Sequence, residues 1–163
     1  MSLFYFNVPY YVTPFPSHYK IQSLLLSKIE QSDFDINDGL KTDWFIKNKS
    51  QLYKDLVIPD MKKVIEDLMP NRNFKMLCCW FQQYTKYSYH SWHDHKCHWA
   101  MVYYITLPQG SKPTQFLVNE KVLDIDANEG DIAIFPGWIK HRSPANKSTE
   151  VKTVISINVE ELV

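Results

Sequence analysis

The spacing of hydrophobic residues changes character part-way along this chain. Ile21, Leu24, Leu25 and Ile29 recur at intervals of three and four, which predicts an amphipathic helix with Ser17 as its N-cap, within about 17–31. Val64, Ile65 and Leu68 repeat the pattern. Pro59 in a first turn and Pro70-Asn71 as a stop bound a second helix over 59–69. From Phe74 the period drops towards two. Short β-branched and aromatic runs near 76–84, 100–107, 115–118, 121–125, 131–135 and 151–159, separated by Gly, Pro and Asn clusters, predict the strands of a barrel or sandwich. Val8 to Pro16 reads as extended chain and 33–43 as a loop. Each helix has one apolar stripe and needs a sheet to cover. The change of texture near Asn71 therefore joins two layers of one domain, 1–163, rather than two domains.

Bulk properties narrow the function classes. With 163 residues the chain can bury one substantial core. Lys and Arg total 18 and so do Asp and Glu, with no basic stripe, which argues against a nucleic-acid partner. Three cysteines are an odd number, and the neighbours Cys78 and Cys79 point to opposite faces of a strand, so no disulfide framework is expected and a reducing compartment is. The aromatic, proline-broken N-terminus is unlike a signal peptide and no apolar run is long enough for a bilayer, so the expectation is a cytoplasmic protein with no membrane partner. The sequons Asn48-Lys49-Ser50 and Asn146-Lys147-Ser148 are then chance matches.

Four of the six histidines crowd into His90-Ser91-Trp92-His93-Asp94-His95-Lys96-Cys97-His98. On an extended strand His93 and His95 share a face, so two imidazoles can reach one ion without backbone contortion; exposed or mutually bonded histidines are the plainer alternative. A third ligand is offered where the apolar run Asp131 to Phe135 enters the Pro136-Gly137 turn and delivers His141 just beyond it. From a loop, His141 can complete a facial set of three that leaves the opposite face of an ion open; otherwise it is a surface histidine beside Arg142. In the last strand, Lys152, Val154, Ser156 and Asn158 share one face, while Thr153, Ile155, Ile157 and Val159 share the other. The apolar face suits the helices and the polar face a lumen. A lumenal lysine is costly unless an anion meets it, and an exposed lysine is the commoner alternative. Cys97 and His98 have the wrong spacing for a closed four-ligand zinc clip.

In order and spacing, these pieces resemble the iron(II)- and 2-oxoglutarate-dependent oxygenases, in particular the prolyl-hydroxylase-like branch and the small oxygenases common in phage and bacterial genomes. The matching stretches are Trp80 to Tyr84, Trp92 to His95, Met101 to Ile105, Thr114-Gln115-Phe116, Glu129 to Asp131 through Phe135-Pro136 to His141-Arg142-Ser143-Pro144, and Lys152 to Asn158, all within about 74–159. The resemblance implies a mainly β fold, a double-stranded β-helix (jelly roll, cupin-like) with N-terminal helices packed on it. It implies iron(II), 2-oxoglutarate and dioxygen as cofactor and cosubstrates, succinate and carbon dioxide as co-products, and a small-molecule or peptidyl substrate. It also implies a cytoplasmic setting, that of a host if the chain is phage-encoded. By resemblance His93 and His141 are the histidine ligands, and Lys152 pairs with the distal carboxylate of 2-oxoglutarate. Tyr84 and Tyr104 hydrogen-bond the cosubstrate, and Ser156 and Asn158 line its pocket. The family's second ligand is normally an Asp or Glu two residues after the first histidine. This chain has His95 there, with Asp94 as an alternative ligand on a bulged strand.

Two other readings use the same histidines: a cupin-like metal-binding protein or zinc-dependent hydrolase, and a metal-free structural barrel. Lys152 separates them, because zinc hydrolysis has no use for an inward lysine. Loops 33–58 and 85–91 are expected to rim the substrate pocket, and Arg142 either touches substrate there or is an ordinary surface arginine.

Overall fold

The computed structural model describes residues 8–37, 39–46 and 51–162. The sequon at Asn48 lies outside them. Asn146 of the other is fully buried, its amide donating to the Tyr84 and Glu150 carbonyls, so it is a packing residue with no sugar-accessible nitrogen.

Two antiparallel sheets face each other. The larger is built from β1 (Tyr11–Pro14), β2 (Asp35–Asn37), β3 (Leu40–Thr42), β4 (Asn73–Tyr84), β6 (Trp99–Thr106), β9 (Asp131–Pro136) and β11 (Lys152–Leu162), in the order β1-β9-β6-β11-β4-β3-β2. The smaller contains β5 (His90–His93), β7 (Gln115–Val118), β8 (Lys121–Asp124) and β10 (His141–Ser143), in the order β5-β10-β7-β8. Non-consecutive neighbours in both sheets give the crossed connections of a double-stranded β-helix, the expected jelly roll, with helices α1 (His18–Glu30) and α2 (Lys54–Leu68) on the outside of the larger sheet.

Alternation along the central strands separates two cores. Cys79 and Phe81 of β4, Met101, Tyr103 and Ile105 of β6, and Ile155, Ile157 and Val159 of β11 pack beneath Leu25 and Ile29 of α1 and Val57, Met61 and Ile65 of α2. The opposite face turns Tyr84, Val102, Tyr104, Ala133, Phe135 and Val154 towards Phe116 and Ile139, between the sheets. Burying both faces of β6 explains why Trp99 to Ile105 reads as a nearly unbroken apolar run, whereas β11, also buried on both faces, keeps Lys152, Ser156 and Asn158 on its inner one.

The helices differ from expectation in two places. Ser17 is the N-cap of α1, but its hydroxyl donates to Asp60 of α2 and so ties the helices together rather than capping. α2 begins at Lys54, five residues before the expected start, and Pro59 lies inside it. The stripe in fact starts earlier, at fully buried Tyr53, whose hydroxyl donates 2.7 Å to the buried Asp43 carboxylate, and continues through Val57 and Met61. That anchored first turn outweighs the hydrogen bond proline removes. Pro70-Asn71 does end the helix, Asn71 taking a left-handed φ of 67°.

Candidate metal centre

The three imidazoles of His93, His95 and His141 converge. Their ligand nitrogens all lie within 4.8 Å of one another, and they are the only such His/Cys/Asp/Glu group among the described residues. His141 is not on a loop, as expected, but opens β10, where it pairs directly with His93 of β5 and is buried. That pairing, and not the strand-borne His-x-His geometry, brings the rings together: β5 ends at His93, and His95 follows in irregular chain. His95 is held because its N–H donates to the Gly137 carbonyl (2.8 Å) while Gly137 N–H donates to the His98 carbonyl (3.0 Å). The fit allows only glycine at 137, since a Cβ there would stand 2.6 Å from the Cys97 sulfur and closer still to the Cys97 carbonyl oxygen. Asp94 is exposed and outside the group, and the resulting set is three imidazoles with no carboxylate.

Hydrogen bonds fix two of the tautomers. Nδ1 of His93 lies 2.7 Å from the Ser91 carbonyl and Nδ1 of His141 is 2.7 Å from the Ile139 carbonyl. A carbonyl only accepts, so each Nδ1 carries the proton and each Nε2 presents a lone pair. Burial, reinforced by repulsion from His93, lowers His95 to about 4 and His141 to about 3, so both rings are neutral at pH 7.

Lys152 lies on the same cavity wall, 1% exposed. Its ammonium donates to the Lys112 carbonyl (2.6 Å) and the Ser143 hydroxyl (2.9 Å), and sits 5.2 Å over the Tyr84 ring and 5.9 Å from that of Tyr104. Among the described residues no acidic side chain lines this cavity, and burial alone brings the lysine down to about 7. Tyr84, Tyr104, Ser156 and Asn158 line it too, with the Tyr104 hydroxyl donating 2.8 Å to Thr114. The inner space, about 30 Å³, holds a water or two. It adjoins an outer groove of about 440 Å³, and Trp80, Gln82, His90, His93 and His95 line both.

Several residues here had no role assigned from sequence. His90 stacks on His93 with centroids 4.1 Å apart, and its Nδ1 faces the Gln82 amide at 3.2 Å. Gln82 was accessible by period two from Tyr84, and Thr114 and Ser143 lie inside matching motifs. Arg142 is fixed: its Nε donates to Gln115 (2.8 Å) and its guanidinium lies 4.5 Å over the Trp92 ring. The groove takes its rim from Asn37, Leu40, Thr42, Trp44 and Phe45 and from Tyr89 to Ser91, whereas 54–58 belongs to α2. His98 lies outside the centre, its Nδ1 accepting the Glu161 backbone N–H (3.1 Å). Among the described residues no helix is long and apolar enough to cross a membrane.

No protein-family model and no curated protein matches this chain. Solved structures do. HygX from Streptomyces hygroscopicus, with nickel, 2-oxoglutarate and hygromycin B bound, superposes with a TM-score of 0.71 at 11% identity, over 94% of this chain and 83% of that one. An oxidoreductase of the 2OG-Fe(II) oxygenase family from Burkholderia pseudomallei gives 0.73 at 7%, over 93% and 84%. The viral collagen prolyl hydroxylase of Paramecium Bursaria Chlorella virus-1, in its 2OG complex, gives 0.63 at 15%, over 94% and 96%. What this chain shares with all three is the double-stranded β-helix fold, nearly end to end.

Proposed function

We propose that this chain is an iron(II)- and 2-oxoglutarate-dependent oxygenase that hydroxylates its substrate. The observation that carries the reading is Lys152: a buried ammonium with no anionic partner among the described residues, on the wall of the cavity that holds three metal-competent imidazoles. A buried cation of this kind calls for an anion from outside the chain. The donor set fits the metal, since neutral imidazole is a good ligand for iron(II) and two of the rings already have Nε2 free.

When bound, iron(II) with 2-oxoglutarate and dioxygen supplies an oxidant able to hydroxylate a C–H bond, leaving succinate and carbon dioxide. The rest falls to the protein. His93, His95 and His141 hold the metal. Lys152 meets the distal carboxylate of the cosubstrate, and the Ser143 and Thr114 hydroxyls and the Tyr84 phenol stand by to complete its hydrogen bonds. The Lys152 ammonium has three N–H donors and gives one each to the Lys112 carbonyl and the Ser143 hydroxyl, which leaves the third for the incoming carboxylate. Val102, Val154 and the two buried tyrosines keep water from the centre. The substrate takes the outer groove, where Trp44, Phe45, Trp80 and Tyr89 offer ring faces. Those faces suit a small molecule or a peptidyl segment. Motif order in the sequence is what supports the prolyl-hydroxylase-like branch.

The test is succinate formation from 2-oxoglutarate by protein reloaded with iron(II), together with 2-oxoglutarate affinity of the metal-loaded protein. A second reading, a zinc hydrolase or cupin-like metal protein, is favoured by the absence of a carboxylate ligand, since three histidines suit zinc. Tight zinc binding with no 2-oxoglutarate affinity selects it.

A further inference from the structure

The third histidine differs from the other two in how its outer nitrogen is held. His93 and His141 each direct Nδ1 to a backbone carbonyl two residues earlier. Nδ1 of His95 instead faces the side-chain amide of Asn158 on β11, with Nδ2 at 3.5 Å. Asn158 is 8% exposed, and its Oδ1 is the one buried side-chain polar atom among the described residues that lacks any hydrogen-bond partner. Two awkward features, a long nitrogen-to-nitrogen contact and an orphaned carbonyl oxygen, thus belong to the same amide.

With Nδ1 of His95 turned to Asn158, Nε2 is the nitrogen left for the centre. A metal on Nε2 obliges Nδ1 to carry the proton, and Nδ1–H then needs an acceptor. In the present orientation it would meet the amide N–H, donor against donor. The two ends of an asparagine amide are nearly the same size, so a half-turn about its last side-chain bond exchanges them in place. The turn sets Oδ1 against Nδ1–H.

We propose that Asn158 is a positioning residue for the metal centre: its side-chain carbonyl accepts the proton of His95 Nδ1, fixes the ring, and so presents Nε2 to the ion. Nothing in the irregular chain around His95 offers Nδ1 a backbone carbonyl, and the last strand supplies the missing acceptor. This rests on the proposed function only so far as the three imidazoles hold a metal, and it applies to iron or zinc alike.

Zinc is the probe, being diamagnetic and at home on three histidines. Long-range proton–nitrogen NMR of zinc-loaded, nitrogen-15-labelled protein is expected to show His95 protonated on Nδ1 with the metal on Nε2. Competition with a chromophoric chelator is expected to find zinc bound about 10–100-fold more weakly by Asn158→Leu, the usual effect of removing an outer partner of a ligand histidine. Asn158→Asp, which keeps an acceptor, is expected to restore wild-type affinity or better. Metal on Nδ1 of His95 would overturn the inference, as would equal zinc affinity in wild type and Asn158→Leu, and both outcomes leave the three-histidine centre standing. If Asn158→Leu fails to fold, the wild-type tautomer and the Asn158→Asp affinity still decide. Failure of wild-type protein to take zinc at all would overturn the centre and this inference together.

Discussion

At the scale of single residues, Lys152 ties stability to ligand binding. Its buried ammonium lies at about 7 because of desolvation, well below an ordinary lysine. Between pH 7 and the normal lysine range the unfolded chain therefore holds a proton that the folded chain has lost, so this group makes the protein more stable as pH rises through that window. Cosubstrate affinity has the opposite sign, because the charged form binds the carboxylate. Melting curves and 2-oxoglutarate titrations at about pH 6.5 and about pH 9 should show stability rising and affinity falling, and Lys152→Met should lose the stability slope. Lys152→Ala is expected to weaken 2-oxoglutarate by about 2–5 kcal/mol, roughly 30-fold or more, with metal retained. Calorimetry on metal-loaded protein checks this, and unchanged affinity would remove Lys152 from its assigned role. His141→Ala should lose metal and cosubstrate together, as read by metal analysis. His95→Asp restores the commoner ligand set of the family the sequence resembles and should retain or raise succinate formation.

At the scale of elements, what sequence could show depended on length. The long strands β4, β6, β9 and β11 carry their own alternation and were legible, as were α1 and the far end of α2. Strands β2, β3, β5 and β10 have three or four residues each and are polar or mixed, so their own pattern is too short to specify them. They are strands because a neighbour pairs with them, and that information lies far away in the chain. The same reason hid the pairing of His93 with His141, although both residues were picked out. The early start of α2 was missed differently, by giving Pro59 more weight than the Tyr53-Val57-Met61 spacing. Pro59→Ala should accordingly raise the melting temperature, by up to about 3 kcal/mol in stability, since it restores a helix bond to Asp55. Gly137→Ala should do the reverse, by about 1–3 kcal/mol, and also weaken metal binding, because the turn it crowds carries the carbonyl that fixes His95.

At the scale of the whole molecule, the two cores have different occupations. The one beneath the helices is mainly apolar, its polar groups tied off in pairs such as Tyr53 with Asp43 and His18 with Tyr103, while the one between the sheets ends in histidines, phenols and an ammonium. Ligands entering the second should therefore stiffen the pairing of the small sheet against β11. Metal and 2-oxoglutarate together are expected to raise the melting temperature, by the equivalent of about 2.7 kcal/mol at a hundred times the dissociation constant. Metal alone should give only part of that shift.

β11 belongs to both cores at once, with Ile155 and Ile157 under the helices and Lys152, Ser156 and Asn158 in the lumen. Sliding this strand by a single position would carry the ammonium out and a β-branched methyl in, at every register point. Foldedness and chemistry are thus written on alternate letters of one short word. Side-chain replacements can silence the centre in an otherwise intact molecule, whereas an inserted or deleted residue between 152 and 159 should take the fold with it.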